Sequence, residues 1–127
     1  MGAILNYSYG QLYDTYIVHH KENPNRVQLT SGEKGLSQNI NKLIWERIDA
    51  VVEDRAVFRY TSLEMGVIDS FVEVGTVFYE DVYIAFSPKN DNANEYAKLL
   101  SDGIRGLRAS GELAAILSRY GLEDWVD

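Results

Sequence analysis

Cysteine is absent from the 127 residues of this chain. Disulfide frameworks, cysteine-based zinc sites and thiol catalysis are therefore excluded. Proline is scarce, and no apolar run reaches the ~18 residues that a membrane-spanning helix needs. The first residues have neither a basic leader nor a long apolar stretch, so we do not expect a signal peptide there. The chain begins directly on a predicted strand, which suggests a shortened form of a longer protein.

The composition is that of one globular domain with an apolar core. Apolar residues make up 46% of the chain and charged residues 24%, which is neither a disordered nor a fibrous profile. The net charge of -7 argues against nucleic acids and anionic membrane surfaces as partners, because both would repel the chain. The two histidines, His19 and His20, are adjacent, and neighbouring helical residues cannot easily reach one ion. We expect neither a metal nor a cofactor.

Hydrophobic periodicity predicts strands that alternate with helices. Strands are expected at residues 2–6, 27–29, 48–52, 71–77 and 82–86. The run at 48–52 is almost entirely apolar, as in a central parallel strand covered on both faces. This order of elements predicts an α/β fold with a mostly parallel sheet.

Five helices are expected between and after these strands. The first carries Leu12, Tyr13, Tyr16 and Ile17 on one face, and the second follows a capping-box spacing from Thr30 to Glu33, with Leu36, Ile40, Leu43 and Ile44 along one stripe. A third runs from Arg55 to about Leu63, a long one carries Tyr96, Leu100, Ile104 and Leu107, and a last one lies between Ser110 and Gly121.

The turn between the first strand and the first helix is the first candidate site. The free N–H groups at a helix start attract a carboxylate or phosphate. Ser8 adds a hydroxyl, Gly10 lets a ligand approach the backbone, and Tyr7 and Tyr9 are placed to stack on a substrate. An ordinary capped helix start is the alternative interpretation of the same residues.

A second candidate site follows the third predicted strand. Ligands of open α/β sheets bind beyond the carboxyl ends of the strands, where Asp54 stands and could receive an ammonium group. Alternatively, Asp54 caps the helix that begins at Arg55. Glu53 should point away from Asp54 along a strand, so the two are not expected to form an acid/base pair. No phosphate-binding loop, dinucleotide fingerprint, nucleophile elbow or HExxH motif occurs, so we do not expect an enzyme.

Three stretches resemble the amino-acid-type (family 3) solute-binding proteins of ABC importers. Residues 43–54 read LIWERIDAVVED, similar to the family's helix, turn and "R-I/V-D-A-V-V-x-D" strand. Residues 82–89 read VYIAFSPK, similar to its "Y-G-I-A-F-x-K" strand. Residues 107–117 read LRASGELAAIL, and Tyr120-Gly121-Leu122 and Trp125 follow, similar to its "L-K-A-S-G-x-L-x-x-I-x-x-K-Y-G" tail. The resemblance covers essentially the whole chain in the right order.

The resemblance implies a periplasmic-binding-protein-like lobe with three layers. Members of this family have two α/β lobes joined by crossover strands. Residues 1–78 look like the second, inserted lobe, about 79–81 like the return crossover, and 82–127 like the segment that closes the first lobe. The first lobe itself, with the arginine that usually clamps a ligand's α-carboxylate, has no counterpart in this chain.

The resemblance also implies how a ligand is held. Ser8 stands at the hydroxyl position of the family's carboxylate-binding turn, with Tyr9 and Gly10 after it, and Asp54 matches the aspartate for the α-ammonium. Glu53 matches a position that is often a ligand contact too. Tyr7 and Tyr9 replace residues that are typically small, so the ligand's size is open. The implied ligand is a small polar solute such as an amino acid.

The implied role is non-catalytic solute capture for the membrane permease of an ABC importer, in the periplasm or outside the cell. A ligand-sensing domain of a signalling protein and, further off, a dehydratase on the same fold are alternatives, since a fold alone does not decide function. Without a first lobe, apolar residues of the C-terminal segment lack cover, so we also expect a homo-oligomer formed through residues 82–127.

Overall fold

A small parallel sheet organises the N-terminal part of the chain. The computed structural model describes residues 1–76 and 82–125. Strand β1 (Gly2–Ile4) pairs in parallel with β2 (Gln28–Thr30), with Ala3 opposite Leu29. On its other side, Gly2 forms a parallel bridge with Val51. The first and third predicted strands are thus parallel neighbours joined by this bridge, and the chain has a mixed α/β fold.

Five α-helices lie in the described residues. They are α1 (Gln11–His20), α2 (Gly35–Ile44), α3 (Arg55–Glu64), α4 (Ala93–Ser110) and α5 (Glu112–Ser118), and a short 3-10 helix spans Ile68–Ser70. All five match predicted helices. The capping-box prediction for α2 is wrong, because its N-cap is Lys34, without a side-chain cap bond. Thr30 instead ends β2, where its hydroxyl donates to the carbonyl oxygens of Ala3 and Gly35.

The core forms where α2 covers β1. Ile40 and Ala3 are fully buried, and Asn39 donates from its Nδ2 to the Ala3 carbonyl at 3.3 Å. Gly2 is required here, because a Cβ would lie 2.7 Å from Ile48 and 2.9 Å from Asn39. Burying a side chain the size of Ile40 stabilises the fold by about 1.5–3 kcal/mol. Among the described residues of the first unit, the buried apolar side chains are Ala3, Tyr9, Val27, Leu36, Ile40 and Ile48.

Two of the expected apolar stripes are more exposed than predicted. Leu36 and Ile40 of α2 are buried, but Ile44 is exposed. In α1, Leu12 is 73% exposed and no residue is fully buried. The side chains of α1 are thus half-buried or exposed, and the start of the helix is fixed by polar contacts of Asp14.

The prediction of a long central strand at 48–52 is wrong in extent and place. Val51 forms a single bridge, and β1 lies between β2 and this bridge. Ile48 is buried, but Val51 and Val52 are half-buried and Ala50 is exposed. In the described residues this segment is joined to β1 by the one bridge at Val51, and no strand pairs on its outer side.

The predicted strands at 71–77 and 82–86 are wrong within the described residues. Residues 71–76 and 82–86 have no strand structure, and Val74 and Val82 are more than 90% exposed. Both segments have β-prone sequences, but β-propensity is expressed only where a neighbouring strand accepts the backbone hydrogen bonds. Val77 and the predicted crossover at 79–81 lie outside the described residues.

The chain divides into two compact units, Met1–Phe78 and Tyr79–Asp127. In the second unit, α4 and α5 meet at Gly111, whose φ of 80° is the left-handed conformation that glycine favours. Arg108 donates two hydrogen bonds to the Asp124 carboxylate, at 2.6 and 2.9 Å. Leu113 is buried there, whereas α4 has no buried residue. No helix in the described ranges is long and apolar enough to cross a membrane.

Candidate functional site

The candidate site lies where β1 and the Val51 segment leave the sheet. The two segments run in parallel, and the Val52 N–H donates to the Gly2 carbonyl at 3.2 Å. Their carboxyl ends therefore share one edge. Residues 6–10 follow β1 at this edge, and Glu53 and Asp54 follow Val52. The Glu53 carboxylate is close enough to Tyr9 to contribute to the raised pKa of its phenol.

The Ser8 turn binds a carboxylate, and this carboxylate belongs to the chain itself. The Ser8 hydroxyl donates to Asp14 Oδ2 at 2.7 Å, and the Tyr9 N–H donates to Asp14 Oδ1 at 2.8 Å. These two hydrogen bonds hold the pKa of Asp14 below its usual value. Asp14 was not among the predicted site residues. An acidic residue in the first turn of a helix that follows a serine is nevertheless a pattern that favours such a contact.

Tyr9 is a core residue whose side chain ties the turn to β1. It is 6% exposed, and its phenol oxygen accepts a hydrogen bond from the Ile4 N–H at 2.8 Å. Burial raises the pKa of Tyr9 to about 12, more than the Ile4 hydrogen bond lowers it. The Tyr7 ring lies 6.4 Å from the Tyr9 ring and is 59% exposed. Of these two tyrosines, Tyr7 is therefore the one available for stacking on a solute.

Gly10 is the N-cap of α1 and has a backbone conformation that residues with a side chain rarely adopt. Its φ of 83° and ψ of 156° lie in a region that is essentially restricted to glycine. This backbone turns the chain so that the Tyr9 N–H faces Asp14 while the Gly10 carbonyl accepts from the Asp14 N–H at 3.0 Å. Gly10 is thus needed for the shape of the turn, whether or not a ligand approaches it.

Asp54 caps α3, as one of its two predicted roles requires. Its Oδ1 accepts a hydrogen bond from the Val57 N–H at 3.0 Å. The side chain is exposed, and a carboxylate has a second oxygen with which to accept a further donor. Asp54 can therefore cap α3 and still accept from an ammonium group, and ammonium binding stays a prediction.

The Glu53 side chain turns back onto the backbone of Asp54. Its Oε1 accepts the Asp54 N–H at 2.9 Å. Its Oε2 is buried and has no hydrogen-bond partner among the described residues. Burial raises the pKa of Glu53, and the nearby Asp54 carboxylate raises it further, against the lowering effect of the Asp54 N–H. A buried acceptor without a partner is costly to the folded state.

The site is an open surface in this chain. A shallow depression of about 220 Å³ lies beside the turn, lined by Ile4, Leu5, Asn6, Tyr7, Asp14, Ile17, Val18, Lys21 and Leu29. It does not include Ser8, Gly10, Glu53 or Asp54, and it is smaller than the ~300–1,000 Å³ typical of ligand pockets. In the part of the chain that the structure describes, no three potential metal ligands cluster together.

Histidine does not contribute to this edge. His19 and His20 lie in the last turn of α1, at its opposite end, and the His20 ring packs 4.4 Å from the Tyr16 ring.

Comparison with known proteins does not assign the chain to a family, so its function has to be argued from its own residues. No protein-family model matches the chain, and no curated protein or solved structure is significantly similar to it.

Proposed function

We propose that this chain is the second lobe and closing segment of a two-lobed solute-binding protein that serves an ABC importer. Residues 1–78 would be the inserted lobe with its three layers, and 82–127 the segment that packs on a first lobe. The protein would capture a small polar solute, such as an amino acid, in the periplasm or outside the cell, deliver it to a membrane permease, and catalyse no reaction. The sequence resemblance of residues 43–54, 82–89 and 107–117 supports this proposal.

One observation carries the proposal further than the resemblance does. The parallel pairing of β1 with Val51 puts the Ser8–Gly10 turn and the Glu53–Asp54 pair at the same edge of the sheet. Open α/β sheets bind ligands at such an edge. The exposed Asp54 carboxylate, whose Oδ1 caps α3, gives this edge a second oxygen, Oδ2, that can accept a hydrogen bond from a solute.

The open geometry of the site supports a lobe whose binding site is completed by a second lobe. A solute on this edge would remain largely in water, where charged contacts are weak. Closure of a second lobe would exclude that water and add contacts made only in the closed state. We therefore propose that the chain alone binds amino acids only weakly, too weakly in some cases to give a measurable heat.

Exposed apolar residues of the second unit support self-association. Val82 is 95% exposed, Ile84 68% and Ile116 40%. Each such side chain would gain about 1.5–3 kcal/mol from full burial. We propose that a second copy of the chain covers this segment.

Saturation-transfer NMR on the full chain tests the solute-binding proposal. The technique detects millimolar binding, so a pooled panel of amino acids, amines, carboxylic acids and sugars can be screened at once. We expect responses from nitrogen-containing solutes, reduced in Asp54→Asn and unchanged in Asp49→Asn, which alters an exposed aspartate before Val51. The absence of any response that depends on Asp54 would contradict the proposal.

Isothermal titration sets the upper limit of the affinity. We expect dissociation constants in the millimolar range or no measurable heat with the same amino acids. Micromolar binding by a monomer, verified by sedimentation, would show that a second lobe is not needed.

A further inference from the structure

The two donors that the Ser8 turn would offer to a solute are both in use. A hydroxyl and a backbone N–H each have one proton to donate. The Ser8 proton is directed at Asp14 Oδ2, and the Tyr9 proton at Asp14 Oδ1. A solute carboxylate can take this place only if the Asp14 carboxylate leaves it. Asp14 is on α1 next to these donors, so its contact forms without the entropy loss of binding a free solute.

The charge of Asp14 opposes a second anion at the same place. Its carboxylate stands over the N-terminus of α1 and offsets the positive end of the helix dipole there. Its lowered pKa agrees with a carboxylate that stays ionised at neutral pH. An incoming carboxylate would therefore meet like charge where the family resemblance implies attraction.

The carboxylates at this edge offer hydrogen-bond acceptors and negative charge, whereas the Ser8 turn offers donors. Glu53 Oε2 is a buried acceptor without a partner among the described residues. Asp54 adds an exposed carboxylate whose Oδ1 alone is committed to the α3 cap. These groups accept hydrogen bonds and attract positive charge. A positively charged hydrogen-bond donor would therefore complement this edge.

We propose that Asp14 determines the specificity of this lobe by filling the carboxylate subsite from within. The solute is then held through a cationic nitrogen on the exposed Asp54 carboxylate, beside the buried Glu53 carboxylate, and its class is a small amine whose carboxylate, where it has one, is not bound by this lobe. This inference rests on the proposed solute-binding function. Its chemistry differs from what the resemblance alone implies, because Ser8 and Tyr9 serve an internal carboxylate.

Two derivatives of alanine, each of which keeps only one of the two charged groups of the amino acid, provide the test. L-Alaninamide carries the α-ammonium group without a carboxylate, and N-acetyl-L-alanine carries the carboxylate without an ammonium. Each is titrated to tens of millimolar into the full 15N-labelled chain at neutral pH, and the amide shifts are followed residue by residue. Asp14→Ala frees both donors, Asp14→Asn removes the charge with little change in shape, and Asp49→Ala is the matched control.

In the wild-type chain we expect L-alaninamide to shift the amides of Glu53 and Asp54, and N-acetyl-L-alanine to leave Ser8, Tyr9 and Gly10 unshifted. In Asp14→Ala, N-acetyl-L-alanine should shift the turn with at least about tenfold higher affinity, as expected for a gained charge-assisted hydrogen bond. Asp14→Asn should show a smaller gain, and Asp49→Ala none. The dispersion of the amide spectrum verifies that each variant is folded, and Asp14→Asn decides alone if Asp14→Ala is not.

Each contrary result has its own meaning. Equal binding of N-acetyl-L-alanine at the turn in wild-type and Asp14 variants would overturn the role of Asp14. No response of Glu53 or Asp54 to L-alaninamide would overturn the assigned solute class. If no solute of the larger panel binds the wild-type chain while Asp14→Ala binds N-acetyl-L-alanine, the role of Asp14 stands and the proposed solute capture fails.

Discussion

The phenol oxygen of Tyr9 accepts a 2.8 Å hydrogen bond from the backbone N–H of Ile4. This contact joins the last residue of β1 to the turn that precedes α1, and it buries the Tyr9 ring. The turn that carries Ser8 and Gly10 is therefore anchored to the sheet by a side chain that the resemblance would assign to the ligand.

Removing the Tyr9 hydroxyl should destabilise the first unit. In Tyr9→Phe the Ile4 N–H loses its acceptor in a partly buried place, so the free energy of unfolding should fall by about 1–3 kcal/mol. Urea denaturation followed by circular dichroism measures this change. Tyr7→Phe is the control, because Tyr7 is exposed, and it should stay within about 0.5 kcal/mol of the wild type. Equal effects of the two variants would contradict the anchoring role.

The cap of α3 gives a second stability prediction. Asp54→Ala removes the acceptor of the Val57 N–H and should lower the free energy of unfolding by about 0.5–2 kcal/mol, whereas Asp54→Ser should retain most of the stability. Thermal and urea unfolding of both variants measure the difference. An alanine variant as stable as the serine variant would show that the cap contributes nothing.

The turn and the sheet edge show where sequence reasoning succeeds. The parallel neighbours, the five helices and the Asp54 cap follow from local patterns: apolar periodicity, capping residues and the carboxyl ends of strands. Whether Tyr7 or Tyr9 would be buried did not follow, since both stand at equivalent spacing on the turn. The structure decides it through the Ile4 N–H, a contact that a local pattern does not encode.

The strands at 71–77 and 82–86 show where such reasoning fails. Their residues favour strands, but a strand forms only when another segment pairs with it. In the described residues no segment pairs with 71–76 or 82–86. The Asp14 contact was missed for a related reason: its acceptor atoms meet Ser8 and Tyr9 through the backbone shape that Gly10 creates.

Glu53 should make stability depend on pH in a definite direction. Its pKa is raised in the folded protein, so the folded chain holds that proton more tightly than the unfolded chain does. Its favourable contribution is present below the ordinary value of 4.5 and is lost as the pH rises through the folded pKa. Glu53→Gln should therefore be more stable than the wild type at neutral pH, by less than about 1 kcal/mol because the group is partly solvated.

Urea titrations between pH 4 and pH 8 test this difference. The advantage of Glu53→Gln should shrink towards the acid end, where the wild-type carboxyl is also neutral. Glu64→Gln, at the exposed end of α3, is the control. A pH-independent difference between Glu53→Gln and the wild type would contradict the burial of an ionised carboxylate.

Self-association should depend on the exposed apolar residues of the C-terminal segment. We expect sedimentation at low micromolar concentration to show a dimer or a larger oligomer, in which residues 82–127 of different copies pack together. Ile84→Lys, at a residue that is 68% exposed, should shift the equilibrium towards the monomer. Val18→Lys, at a similarly exposed residue of α1, should not. A stable monomer for the wild-type chain would contradict this prediction.

The central claim is that solutes bind where the Ser8–Gly10 turn and the Glu53–Asp54 pair share the edge of the sheet. Amide chemical shifts of the full chain, titrated with the solute that gives the strongest saturation-transfer response, test it most directly. We expect the shifts to be concentrated at residues 53 and 54, with little change at residues 8–10 while Asp14 occupies the donors of the turn, and to saturate in the millimolar range. Shifts confined to other residues, such as Val18 and Lys21 beside the shallow depression, would contradict the claim.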